Sequence, residues 1–321
     1  MSDPEKLETP TEQPSKKRRL FVRKKDTIND VIPNRQKHLS YRTQKVWEAI
    51  ISYTILIIAS AVVIFPLLLV LMNSFKSRNY ISTTPFAFLT AENFAGFTNY
   101  KTGIEQSDFG KALLNSFFVT ICSTILIILF TSMAAWFLTR VKTWWTKVIY
   151  YVIIFSMIVP FQMVMLPLSG VADDLYLTNI FGILIIYIGF GAGLSTFMYA
   201  GFVKSVPQDL EEAAMIDGCN PPQIFFKIVF PVLKPTTITI SILNVMWIWN
   251  DYLLPYMVLG NKKGQTTVPV AIQSAMAGSY GDINYGAFMA MIVLTIIPII
   301  IFYLFSQKYI IKGVVAGAVK G

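Results

Sequence analysis

Six long apolar stretches punctuate this 321-residue chain. They lie at about Ile50–Met72, Ala112–Leu138, Val148–Leu168, Asn179–Val203, Thr236–Leu259 and Tyr285–Phe305. The first carries no charge, and at 1.5 Å per residue it covers about 34 Å, enough to cross the hydrocarbon core. Pro66 stands where it would kink that stretch, and the third contains Pro160, Gln162 and Pro167. The pattern predicts an all-α polytopic membrane protein with six transmembrane helices. Residues 76–110 are polar and dotted with aromatics, long enough for local structure of their own.

The polar stretch between the fourth and fifth spans has the most specific local chemistry. Pro207 suits the first turn of a helix, where a missing N–H costs nothing. Ser205 and Gln208 have capping-box spacing, a competing start, because Val206 precedes proline. A short helix follows through Leu210, Ala213, Ala214 and Asp217, and Gly218 can close it in the left-handed conformation. Asn220 then caps a second helix entered at Pro221, with Ile224, Phe225, Ile228 and Val229 as its apolar side. Pro231 ends that helix and Pro235 fixes entry to the next span. Asp209, Glu211, Glu212 and Asp217 crowd the first helix, while Ala213 and Ala214 leave a shallow spot. Anionic headgroups repel an acidic face, which favours a docking surface for a protein partner over a loop lying on lipid.

Composition agrees with a membrane protein: 54% of residues are hydrophobic and 14% charged. The net charge of +9 is concentrated before the first span, in Lys16–Arg19, Arg23–Lys25 and their surroundings. Residues 1–46 are therefore expected to be a basic, disordered tail held near anionic lipid, rather than a nucleic-acid patch. Residues 47–306 form the transmembrane domain and 307–321 a second tail. Segments 1–46, 139–147, 204–235 and 307–321 hold 12, 3, 3 and 3 Lys or Arg, whereas 76–110, 169–178 and 260–284 hold 3, 0 and 2. The positive-inside rule then puts both termini and the 204–235 loop in the cytoplasm. Cys122, Cys219 and His38 are too few and too scattered for a disulfide framework or a metal site. No GxxxxGK[ST], HExxH or GxSxG pattern occurs, and Gly189-Phe-Gly-Ala-Gly193 lies within an apolar span, where it suits helix packing.

The run Glu212, Ala213, Ala214, Asp217, Gly218, Phe225, Ile228, Pro231, Pro235 resembles the EAA loop of binding-protein-dependent ABC importer permeases. From about Trp47 onward the chain is similar to the carbohydrate-uptake branch, in particular the maltose-type second permease subunit. Its tail Gly313–Gly321 resembles that subunit's C-terminus, while the N-terminal tail is longer than the family's. The resemblance implies a prokaryotic cytoplasmic-membrane protein paired with a second permease subunit, two ATPase subunits and an extracytoplasmic solute-binding protein. It implies a carbohydrate substrate, no cofactor on this chain, and ATP with Mg on the ATPase subunits. In that reading Glu212 makes a charged contact to the ATPase, Ala213 and Ala214 allow close fit, Gly218 supplies the turn and Phe225 a hydrophobic plug.

Gln162, Asn244, Asn250 and Asp251 are costly in hydrocarbon and should face a cavity or an interface. Trp247, Trp249 and Tyr252 lie beside them. Rings that cover sugar C–H faces and amides that meet hydroxyls would form a substrate path. Interhelical hydrogen bonding explains the same residues equally well. Asp251 could alternatively serve as the ion or proton site of a secondary transporter.

Overall fold

The computed structural model describes residues 35–260, 262, 264–276 and 283–318. The basic runs at 16–25 and the last three residues lie outside that range, as does Gly321 of the tail motif. The described residues fold as helices, with one isolated bridge between Lys76 and Phe94.

Helix α1 (Arg35–Ser74) starts well before residue 47, so it takes in part of the segment expected to be disordered. No Gly or Pro occurs between Arg35 and Phe65, and Gln, Lys, Arg and Glu sustain a helix there. Residues up to Val63 form a unit of their own. Within it the consecutive Ile55, Leu56, Ile57 and Ile58 are all exposed, so every face of the helix is apolar.

The second unit begins at Ile64. After α1 the chain turns back through α2 (Arg78–Thr83) and α3 (Thr98–Gln106). Lys76 is fully buried, and its ammonium donates to the carbonyls of Thr84 (3.1 Å) and Pro85 (3.2 Å). Burial pulls its pKa down from the usual lysine value. Asn99 Nδ2 donates to the carbonyls of Ser74 (2.9 Å) and Lys76 (2.7 Å), and Phe75 packs against Phe94, Phe97 and Tyr100.

Next come α4 (Phe109–Arg140), α5 (Trp144–Phe155), α6 (Phe161–Asp174) and α7 (Gly182–Val203). The third apolar stretch is thus two helices rather than one. Pro160 lacks an N–H and forces Val159 away from helical geometry, while Ser156 Oγ turns back to the Ile153 carbonyl at 2.6 Å. Asp173 and Asp174 end α6.

The loop elements α8 (Asp209–Ile216), α9 (Pro221–Ile224), a π-helical turn (Phe225–Val229) and α10 (Phe230–Val232) lead to α11 (Lys234–Asn250) through a 77° bend. The fifth stretch also divides, with α12 (Leu253–Leu259) beginning after a break at Asp251 and Tyr252. Then follow α13 (Val268–Met276) and α14 (Tyr285–Ala318). The latter continues to Ala318, through most of the segment read as the second tail.

Among the described residues four helices are long and apolar enough to cross a membrane, or five when the bent pair ending in α11 is taken as one span. The buried residues form three clusters, and α4 contributes to each: Val119 and Ile127, then Ala135, then Phe109 and Ala112. Its buried face is otherwise small or hydroxylated, with Ser116, Thr120, Ser123, Thr124, Thr131 and Ser132. On α7 a Cβ at Gly191 would lie 2.5 Å from Ile127 Cδ1, so the two helices touch where glycine removes the side chain.

Lys76→Met would remove the charged donor shared by the carbonyls of Thr84 and Pro85, leaving them only Ala87 N (3.2 Å) and Asn73 Nδ2 (3.1 Å). A hydrogen bond from a charged donor is worth about 1.5–3 kcal/mol. The variant is expected to be cut faster by protease between Thr84 and Asn93, and an unchanged digestion rate would refute this account of the loop.

Candidate functional site

The 204–235 loop is two short helices joined by a sharp turn, the first closed and the second started by local chemistry. Gly218 has φ +83°, and the N–H groups of Gly218 and Cys219 reach back to the carbonyls of Met215 (3.0 Å) and Ala214 (2.9 Å). That pair of bonds is a Schellman closure. At the next helix Asn220 Oδ1 accepts from Gln223 N (3.0 Å), and Gln223 Oε1 accepts from Asn220 N (2.9 Å). The first helix has no side-chain cap, and Ser205 Oγ instead donates to the Phe202 carbonyl at 2.7 Å. Both starts considered for that helix therefore give way to Asp209, with Gln208 flanking it.

The loop has an inner and an outer face. On α8 the inner pair is Glu211 and Ala214, while Leu210, Glu212, Ala213, Met215, Ile216 and Asp217 are exposed. Leu210 and Ala213 are thus turned outward, and a carboxylate takes the inner position. It can do so because α4 supplies its partners. Arg140 donates to Glu211 Oε1 through Nε (2.8 Å) and Nη2 (2.6 Å), and Trp136 Nε1 donates to Oε2 (2.9 Å). Residue types alone did not reveal this pairing. The available signal was that Trp136 and Arg140 are four apart on one helix face.

On the second short helix Ile224, Phe225 and Val229 are buried, with Ile228 beside them, matching the expected apolar side. The Phe225 ring packs against Trp136 (5.5 Å between centroids) and Phe230 (5.8 Å). Phe225 and Ala214 thus hold the loop to its own subunit, whereas Glu212, Ala213, Asp217, Gly218 and Pro231 lie on its surface.

The candidate path residues separate into two groups. Asn244 and Trp247 line a cleft of about 430 Å³ together with Pro160, Phe161, Phe190, Gly191 and Leu243. The cleft opens at the break between α5 and α6, so the irregular backbone sits where a cavity accepts it. Asn244 is buried, and its Nδ2 donates to Ser195 Oγ (3.2 Å) and the Ile240 carbonyl (2.9 Å), leaving Oδ1 as acceptor. A Cβ on Gly191 would stand 3.1 Å from that oxygen. Trp247 is 41% exposed and meets the Tyr187 ring edge-on at 5.5 Å. Gln162 is exposed next to Phe161 on α6.

Asp251 lies behind this cleft. Its Oδ2 accepts from Tyr187 OH (3.1 Å), and Oδ1 accepts from the N–H groups of Leu253 (3.0 Å) and Leu254 (3.3 Å). The carboxylate therefore restarts the chain as α12 and fixes Tyr187. Asn250 belongs to a different cavity of about 320 Å³, with Trp249, Gln273 and Thr295. Among the described residues no group of His, Cys, Asp and Glu could hold a metal ion.

Residues 127–315 match the binding-protein-dependent transport system inner membrane component family. The chain is 38% identical over 264 residues to the probable starch degradation products transport system permease protein of Thermoanaerobacterium thermosulfurigenes, covering 82% of this chain and 94% of the relative. It is 37% identical over 230 residues to the melibiose/raffinose/stachyose import permease protein of Bacillus subtilis, covering 70% and 81%. Among solved structures, a chain of a bacterial ABC transporter involved in import of the acidic polysaccharide alginate superposes with TM-score 0.69 at 25% identity, covering 84% of this chain and 98% of that one. A chain of an alginate transporter in complex with an alginate pentasaccharide-bound periplasmic protein shares the fold, with TM-score 0.57 at 15% identity.

Gly218→Ala places a Cβ in the left-handed region, at a cost of about 1–2 kcal/mol. Amide exchange at Cys219, whose N–H closes the helix, is expected to quicken by roughly fivefold or more. Unchanged exchange would mean that the closure is not what holds this turn.

Proposed function

The chain belongs to the binding-protein-dependent transport system inner membrane component family, and from that premise we propose that it is a transmembrane permease subunit of an ATP-driven ABC importer for sugars or oligosaccharides. As a permease subunit it is not itself the ATPase. Its partners are a second permease subunit, two ATPase subunits that carry ATP and Mg, and an extracytoplasmic solute-binding protein. The chain crosses the bacterial inner membrane six times, the α5–α6 pair making the third crossing, with both termini in the cytoplasm. The bias of Lys and Arg toward the 1–46, 139–147 and 204–235 segments supports this orientation.

One observation carries the reading: a two-helix loop whose inner face is fastened to the bundle and whose outer face is free. Glu212 and Asp217 give that face charge, Ile216 and Leu210 give it apolar contact, and Ala213 lets a partner backbone approach. Closure of the ATPase pair displaces this surface and switches the cleft between outward and inward access. Moving such an equilibrium from 1:99 to 99:1 takes about 5.5 kcal/mol of differential binding. A loop closed by local caps transmits that energy, whereas a loose one dissipates it.

Sugar passes the cleft at the α5–α6 break. There Trp247 offers a ring to C–H faces and Asn244 Oδ1 accepts from a hydroxyl. Gln162 edges the path, whereas Asn250 stands in the neighbouring cavity. Asp251 supports this wall, and its three hydrogen bonds speak against a free ion site.

Gly218→Pro cannot adopt φ +83°. The variant is expected to insert normally yet to lose ATPase association or uptake, and wild-type uptake at normal protein level would count against the coupling role. Trp247→Ala removes an aromatic contact worth about 0.5–1.5 kcal/mol, or roughly two- to tenfold in uptake at subsaturating sugar. Malto-oligosaccharides, melibiose and raffinose are the first sugars to assay, and equal uptake by variant and wild type for every transported sugar would remove Trp247 from the path.

A further inference from the structure

Glu211 and Glu212 are neighbours with opposite surroundings. Glu212 is exposed, while Glu211 is 2% exposed and accepts three hydrogen bonds from α4. Arg140 Nη2 also donates to the Val206 carbonyl at 3.0 Å, just ahead of α8. The Trp136 ring, one turn away, packs on Phe225 in the second half of the loop. One patch at the end of α4 therefore holds the loop at its entry, in its first helix and in its second.

The loop's covalent links are weaker guides. One is the short turn at 204–208, and the other is the 77° bend at Leu233. Leu233, at the bend, is buried beside Phe225 and Tyr199, so that link is held by apolar packing. A guanidinium with two N–H groups on one carboxylate oxygen, in a site largely shut from water, fixes orientation as well as distance. An apolar contact of similar area would allow sliding. From this patch α4 runs as one helix to Ile127, which packs on Gly191 in the cleft wall.

We propose that Glu211, Arg140 and Trp136 form a positioning latch that makes the coupling loop move as one body with α4, so that force on the loop reaches the cleft. This rests on the coupling-loop reading above and adds the residues that transmit it. None of the three touches the sugar or the nucleotide.

The test uses the assembled importer with Leu243→Cys as a reporter in the cleft and Cys122→Ser and Cys219→Ala to remove other thiols. The rate of N-ethylmaleimide labelling is compared with and without ATP and vanadate, alongside the amount of nucleotide trapped. With the native latch, labelling is expected to change by roughly fivefold or more. Glu211→Gln and Arg140→Gln should still trap nucleotide while the labelling change falls below about twofold. Arg140→Lys, which keeps the charge, and Trp136→Phe, which removes one donor, should give intermediate responses. Variants that trap nucleotide and respond like the parent overturn the latch, as does a set whose losses follow complex yield alone. A parent complex whose cleft ignores nucleotide is a different result, and it defeats the coupling-loop reading itself.

Discussion

Close contact between α4 and α7 is the constraint on which the remaining structure depends. In hydrocarbon no hydrophobic force drives two helices together, so contact must come from shape and from paired polar groups. Gly191 admits Ile127, and Tyr199 and Ala200 on α7 share a buried cluster with Ala135 on α4. Once these two helices are joined, α4 organises everything near it. Its first turns hold α13 and α14 through Phe109 and Ala112, and Ser116 Oγ accepts from Val268 N at 2.8 Å. Its last turn holds the 204–235 loop.

The loop inverts the ordinary rule for an amphipathic helix. Leu210 is outside and Glu211 inside. Burying one charge without a partner is prohibitive, but an arginine, an indole N–H and good geometry reverse the balance. The outer face is then a mixture of acids and apolar groups, which suits a protein partner better than a lipid surface.

Much of this was legible from residue order. The first, second, fourth and sixth apolar stretches, the Gly218 turn, the Asn220 cap and the Ile224–Val229 face all follow from local rules, and the structure places them as those rules require. The breaks inside the third and fifth stretches were not read. Pro160 was visible, but whether proline kinks or divides a helix depends on its neighbours, here Gly193, where a Cβ would come within 2.8 Å of Met157 Cβ. Asp251 looked like functional chemistry because a carboxylate in a span is costly, yet three local donors explain it. The burial of Glu211 on the inner face of α8 is beyond local reasoning, since it depends on Arg140, 71 residues away. The grouping of Asn244 and Trp247, apart from Asn250, likewise depends on how α11 meets the α5–α6 break.

The two caps of the loop have a consequence for biogenesis. The Schellman closure and the Asn220–Gln223 box use only residues within the loop. The shape of the handle is thus written locally, and the latch on α4 needs only a helix synthesised earlier. A nascent chain can therefore present a finished outer face, and under the proposed coupling role the recruitment of a partner then costs little ordering entropy.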